Sequence, residues 1–362
     1  VVGLGYISQV AVLPAFKHAQ ENCRLAALVS DDPVKLRRLG RKHGVRDLYS
    51  YEQYDDCLRS GKIDAVYIAL PNSMHCEYTV EAAESGIHVL CEKPMAVTSE
   101  ECSQMIEAAG ANDIRLMIAY RLHFEGANLS AVELAQSGKL GDLRTFNSVF
   151  AMSVKEGNIR LDAQLGGGTL FDIGIYCINA ARYLFRSEPY EVFAFSASGR
   201  DPRFLEVDEM TSAVLRFPDD RLATFTSSFG ASDVSMYQLV GTKGSVCLDP
   251  AYEFVEDLHQ QVTLRERTKK KTFHKRDQFA PELIYFSDCV RKAISPEPSG
   301  EEGLADVRII EALYESARSG QPVRLEPFQR RKRPSRDQEM KRAPVRKQEL
   351  VRAEEPTRPV GV

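Results

Sequence analysis

Over the first 120 residues, short apolar runs alternate with polar or amphipathic stretches. Leu25-Ala26-Ala27-Leu28-Val29-Ser30 is one such run, and 64–70, 88–91 and 115–120 are others. Each has the length and near-continuous apolar character of a parallel strand buried on both faces. Residues 33–43 read as a polar helix, a second helix runs from about 75 to Ser85, and a third precedes Arg115. This alternation predicts an α/β domain with a parallel sheet over 1–120. Val1-Val2-Gly3 reads as the end of a strand, so the chain is expected to start mid-strand, with its true beginning outside this sequence. Pro14 predicts a kink in the first helix.

From Arg121 the pattern changes. A helix over 126–136 precedes strand-like runs over 143–154, 191–198, 210–217, 222–229, 237–240 and 245–248, and helices follow over 281–293 and 303–319. Runs of strands with segregated helices predict an α+β domain over 121–328. Residues 329–362 are different again. Between 330 and 358 there are eleven Lys/Arg against five Asp/Glu and almost no large apolar residue. Such a segment is expected to be a disordered, solvated basic tail.

Composition narrows the function classes. Of 362 residues, 43% are hydrophobic and 27% charged, with a net charge of −4. Nothing in that balance points to nucleic acid or an anionic membrane as partner, and no apolar run reaches the ~18 residues of a membrane span. The eight cysteines include no C-x-x-C pair and sit mostly in apolar stretches. They read as reduced, buried thiols, and a cytoplasmic location is expected, with a periplasmic one left open because the chain is expected to lack its true beginning. The seven histidines show no metal-ligand spacing, so no metal site is expected.

Five stretches carry chemistry. Gly3-Leu4-Gly5-Tyr6-Ile7-Ser8 fits a strand end, a glycine turn and a helix start, able to cradle a pyrophosphate. Ser30 ends the next strand, where an NAD-type site places an acid on the ribose 2′-hydroxyl. Ser30 with Lys35, Arg37 and Arg38 favours NADP; Asp31 or Asp32 favours NAD if either faces the ribose. Leu70, Pro71 and Asn72 lie at the carboxyl end of a strand, where ligands bind, with His75 in the following helical turn. Glu92-Lys93-Pro94 ends another strand and places Lys93 beside the nicotinamide. Gly166-Gly167-Gly168 then precedes an apolar helix bearing Asp172 and Tyr176, four apart and on one face.

Together these stretches resemble the glucose–fructose oxidoreductase / inositol dehydrogenase (Gfo/Idh/MocA) family, and most of all its glucose–fructose oxidoreductase branch. The resemblance spans residues 1 to about 326. It rests on 27–30, 64–67, 70–73, 91–94, 166–176, 182–184 and 300–303. It implies a Rossmann domain followed by a domain with an open, mostly antiparallel sheet whose outer face mediates homo-oligomers. It further implies a sugar substrate, NADP (NAD possible) as cofactor, and Lys93, Asp172 and Tyr176 as catalytic residues. Gly3, Gly5, Tyr6, Ile7, Ser30, Lys35, Leu70, Pro71, Asn72, His75, Glu92, Lys93 and Arg121 are the implied cofactor contacts, and Arg160 joins the catalytic three against the sugar. The implied reaction takes hydride from C1 of a cyclic aldose, with Tyr176 as base. A free tyrosine, with a pKa of about 10, is a poor base, and the Lys93 ammonium favours the phenolate. Coupling to ketose reduction, a simple aldose or polyol dehydrogenase, and a non-catalytic dinucleotide sensor stand as alternatives. A sensor has no need to keep Lys93, Asp172 and Tyr176 together. Ile159 stands where the family often has Trp, and the basic tail has no counterpart.

Overall fold

The computed structural model describes residues 1–330 and 332–357. Arg331 and residues 358–362, part of the expected tail, lie outside the described residues. The chain forms two compact units. One comprises Val1–Arg121, Arg276–Leu304 and Lys341–Pro356; the other comprises Leu122–Lys275, Ala305–Met340 and Thr357.

The first unit is a parallel sheet with helices. Strands β1 (Ala27–Val29) and β2 (Asp47–Tyr49) form one pair; β3 (Ala65–Ile68), β4 (His88–Glu92) and β5 (Leu116–Ala119) form a second group. Val2 bridges both, pairing in parallel with Val29 and Ile68. The order is therefore β2, β1, the Val2 segment, β3, β4, β5, and direction of progression reverses at the Val2 segment. That reversal is the switch point at which doubly wound sheets bind dinucleotides. Helix Pro33–His43 shows why the pattern was readable. Asp32 caps it by accepting the N–H groups of Val34 (2.8 Å) and Lys35 (3.1 Å), Pro33 opens it, and Gly44 at φ +72 closes it. At Pro14 the helix widens instead of simply kinking. Ser8–Val12 is a π-turn running into Leu13–Ala15, because Pro14 has no N–H for the Val10 carbonyl.

Two corrections concern this unit. Residues 276–304, expected in the second domain, belong here, as do 341–356 of the expected disordered tail. Val351 is 4% exposed and joins the apolar cluster of Leu4, Leu13, Leu28 and Leu39. Arg342 donates to Glu21 Oε2 at 2.8 Å. Composition alone predicts disorder for this segment, and it does not register partners of this kind.

Among the described residues the second unit is built on nine strands in the order β13, β12, β11, β10, β6, β9, β8, β7, β14. They are β6 (Leu143–Ala151), β7 (Glu191–Ala197), β8 (Met210–Phe217), β9 (Arg221–Ser228), β10 (Val234–Gly241), β11 (Gly244–Leu248), β12 (Leu258–Leu264), β13 (Arg267–Phe273) and β14 (Val323–Arg324). Every neighbouring pair is antiparallel except β6 with β9. Helix Ile175–Phe185 packs on this sheet, with Ser148 Oγ of β6 donating to Cys177 Sγ at 3.3 Å. The tail residues of this unit are held too. Arg333 donates to Glu188 Oε1 at 2.6 Å and Arg336 to the Gly126 carbonyl at 2.8 Å. No helix among the described residues is long and apolar enough to cross a membrane.

Candidate active site

A candidate nucleotide site is built in the first unit. Gly3 has φ +89, and a Cβ there would lie 2.4 Å from the Ala69 carbonyl oxygen, so only glycine fits between the terminal strand and the end of β3. A Cβ on Gly5 would meet nothing within 4 Å. Gly5 thus borders the open space that a pyrophosphate needs. Ser8, fully buried, donates to the Gly3 carbonyl at 2.7 Å and locks the turn. Tyr6 and Ile7, half-buried, open the helix behind it. These features fit a dinucleotide phosphate.

At the end of β1, Ser30 is buried and its Oγ accepts the Asp32 N–H at 3.3 Å. Asp31 accepts the Tyr51 N–H at 2.8 Å, and Asp32 caps the helix in which Lys35 is half-buried. Both acids are thereby tied to backbone donors. Leu70 is buried, while Pro71 and Asn72 are half-buried at the end of β3. The expected cofactor contact of His75 is corrected. The ring is fully buried, with Nδ1 2.8 Å from the Pro94 carbonyl and Nε2 3.0 Å from the Leu70 carbonyl. His75 ties two strand-end loops together and offers no group to a ligand. Burial lowers its pKa, so the ring is neutral and donates to one of the two carbonyls at a time.

Lys93 follows β4 directly, half-buried, between Glu92 and Pro94. Glu92 is buried and accepts the Tyr67 hydroxyl at 2.7 Å. Burial raises its carboxyl, with Lys93, Tyr67 and Arg121 pulling the other way. Arg121 is also buried and donates to Gln278 Oε1. Sequence reading passed over Glu282, whose side chain is 0% exposed with no hydrogen-bond partner on either oxygen. Burial and then Glu92 raise its carboxyl well above the usual range; Arg121 offsets part of this and Asp277 adds to it. Glu282 therefore keeps its proton to higher pH in the folded protein than in the unfolded chain, which ionises above about pH 4.3. The folded state then binds more protons, so this residue's contribution falls as pH rises above that value. Glu282→Met is expected to raise the melting temperature, with a gain larger at pH 8 than at pH 5. A gain of equal size at both pH values, or a loss, counts against a Glu282 carboxyl raised by burial.

A second candidate cluster, in the other unit, lies around the triple glycine. Gly167 donates to the Asp162 carbonyl and Gly168 to the Arg160 carbonyl, each at 2.9 Å. A Cβ on Gly167 would stand 2.5 Å from the Arg160 oxygen. This close approach lays residues 160–162 against the loop, and Arg160 Nε then donates to Asp172 Oδ2 at 2.6 Å. Asp172 sits in a π-turn, Leu170–Gly174, that leads into helix Ile175–Phe185. Such widened turns recur at functional sites. Tyr176 is half-buried, its ring 5.6 Å from Phe150 and 5.8 Å from Tyr252. The packing fixes the ring's plane. An ion pair and a phenol on successive turns suit the hydroxyls of a polyol or sugar.

Comparison with known proteins identifies the family. Residues 1–120 match the GFO_IDH_MocA model, an oxidoreductase family with an NAD-binding Rossmann fold, and residues 129–247 match the GFO/IDH/MocA C-terminal domain. The D-xylose 1-dehydrogenase (NADP(+)) of Haloarcula marismortui is 33% identical over 334 residues, covering 90% of this chain and 92% of its own. A D-xylose 1-dehydrogenase (NADP(+)) of Haloferax volcanii is 30% identical over 330 residues, covering 90% and 99%. The crystal structure of aldose-aldose oxidoreductase from Caulobacter crescentus complexed with glycerol superposes with a TM-score of 0.86 at 38% identity, covering 90% and 98%. The chain belongs to the Gfo/Idh/MocA family of oxidoreductases.

Proposed function

We propose that this protein is an NADP-dependent oxidoreductase that oxidises a cyclic aldose at C1 to the lactone. The observation that carries the reading is the Arg160–Asp172 pair held by the triple glycine, with Tyr176 four residues on. The relatives named above, xylose dehydrogenases and an aldose-aldose oxidoreductase, support a sugar as substrate.

Gly3 and Gly5 accept the pyrophosphate at the helix start, Ser30 and Lys35 face the adenosine ribose, and Leu70, Pro71, Asn72, Glu92 and Arg121 line the remainder. The nicotinamide, when bound, supplies the hydride acceptor. Tyr176 takes the proton of the C1 hydroxyl on its phenolic oxygen. Lys93 contributes the positive charge that stabilises the anion. Asp172, oriented by Arg160, accepts a sugar hydroxyl and sets the ring's orientation. In the opposite direction Tyr176 returns its proton to a carbonyl oxygen, which is the chemistry that coupled reduction of a ketose requires. The outer face of the sheet exposes Phe195, Val214 and Leu222, which supports self-association through that face.

The test is the absorbance of the purified protein mixed with NADP and a panel of pentoses and hexoses. The reduced-nicotinamide band should grow with an aldose and shrink when a ketose follows. No growth with any aldose overturns the proposed reaction; growth without later loss overturns only the coupling. Sedimentation of the same sample decides the association: a monomer at all concentrations overturns it.

A further inference from the structure

The C-terminal segment reaches the end of β1, where a dinucleotide's adenosine ribose is recognised. Gln9, four residues beyond Gly5, clasps the Val351 backbone twice. Its Nε2 donates to the Val351 carbonyl at 3.0 Å and its Oε1 accepts the Val351 N–H at 2.7 Å. Gln9 itself is buried, and Nε2 also donates to the Leu4 carbonyl at 2.9 Å. The Val351 side chain is sunk beside Leu4 and Leu28. The tail is thus fastened to the helix that follows the glycine turn and to β1.

The next residue is Arg352, in the left-handed region at φ +47, which is uncommon for a residue other than glycine. Its Nη1 lies 3.5 Å from Asp32 Oδ1, across 320 residues of sequence. Burial raises the Asp32 carboxyl, but the N–H groups of Lys35 and Val34, then Arg352 and Lys35, outweigh it and hold it below the usual range. Asp32 is therefore anionic at neutral pH, two residues from Ser30. An anion at this place favours a ribose diol and repels a 2′-phosphate. A guanidinium beside it reverses that sign. The Arg352 side chain is 62% exposed, and its planar fork of five N–H donors suits a phosphate as well as a carboxylate.

We propose that Val351 and Arg352 complete the adenosine end of the cofactor site, with Val351 anchoring the segment and Arg352 neutralising Asp32 and binding the 2′-phosphate. The proposal rests on the reading that this chain binds NADP. It makes cofactor choice depend on a segment far from the βαβ unit that usually decides it.

The experiment measures the affinities of the full chain for NADP, NAD, adenosine 2′,5′-bisphosphate and AMP by calorimetry, at low and high salt. The wild type is expected to favour the two 2′-phosphorylated ligands. Arg352→Gln should weaken both by about tenfold or more, as for loss of a charge-assisted hydrogen bond, and leave NAD and AMP unchanged. Arg352→Lys should retain part of the preference. In an Asp32→Asn background, where the cap is kept, Arg352→Gln should cost less. Thermal melts confirm that each variant is folded. If the wild type favours NADP and Arg352→Gln weakens all four ligands equally, or none, the role of Arg352 is overturned while the NADP reading stands. A wild type that favours NAD overturns both.

Discussion

Tyr176→Phe is expected to lower turnover by about 10²–10⁴-fold, the usual loss when a general acid/base is removed, while NADP affinity and melting temperature stay near wild type. The substitution keeps the ring, so its packing against Phe150 and Tyr252 is retained, and only the phenolic oxygen is lost. Lys93→Met should also slow the reaction without loosening the fold, because Lys93 stands at a strand end and is half-buried. Asp172→Asn weakens the pair with Arg160, and it should raise KM as well as lower kcat, since a substrate hydroxyl loses its acceptor. A purely architectural Tyr176 gives the opposite result, a lower melting temperature with turnover per folded molecule unchanged. Retention of full turnover by Tyr176→Phe would falsify the proposed chemistry.

Much of the fold was legible because local signals and tertiary demands agree. Asp32-Pro33 and Gly44 bracket a helix by capping chemistry alone. The apolar runs ending in Leu70 and in Cys91-Glu92 become strand ends in a parallel sheet. The β12–β13 hairpin was not legible. Its outer strand reads Arg-Thr-Lys-Lys-Lys-Thr-Phe, almost wholly exposed. Lysines protect an edge from pairing, and they also erase the apolar alternation that announces a strand. The turn gives no help, because Arg265 adopts φ +55 where glycine or asparagine is usual.

The same limit governs the tail and the site. Eleven basic residues between 330 and 358 read as solvated. Instead Arg333 meets Glu188, Arg342 meets Glu21 and Arg352 meets Asp32. Partners so far apart in sequence leave no trace in local composition. At the site, residue types at strand ends marked Lys93 and the Asp172–Tyr176 spacing. The Arg160–Asp172 pair depends on two backbone hydrogen bonds of a glycine loop, and the raised Glu282 carboxyl depends on what a helix from 190 residues later buries beside Glu92 and Arg121. Burial of a charge is a tertiary fact, so sequence pattern could not supply either one.

Arg182→Met is expected to destabilise the protein by about 3–5 kcal/mol, the cost of breaking a buried ion pair by removing one partner. Arg182 lies in the helix that begins with Ile175 and Tyr176, and its side chain is 0% exposed. Its guanidinium donates twice to Glu188, at 2.6 and 2.9 Å, and once to Asp306 at 2.6 Å. Arg333 also donates to Glu188, and Asn179 donates its Nδ2 to Asp306 at 2.9 Å while its Oδ1 accepts from His123 Nε2 at 2.8 Å. Arg182 and Arg333 thus meet Glu188 and Asp306 with all four side chains at most 10% exposed. Methionine keeps much of the volume but leaves Asp306 buried without its cation and Glu188 with one cation fewer. Arg182→Lys should fail almost as badly, because a single ammonium cannot reproduce the fork that reaches both carboxylates. Adding Asp306→Asn to Arg182→Met should recover part of the loss, since it removes the charge left uncompensated. Urea unfolding measures all three variants. A loss under about 1 kcal/mol for Arg182→Met, the range of an exposed pair, is the result that rules out this network as the anchor of the Tyr176 helix.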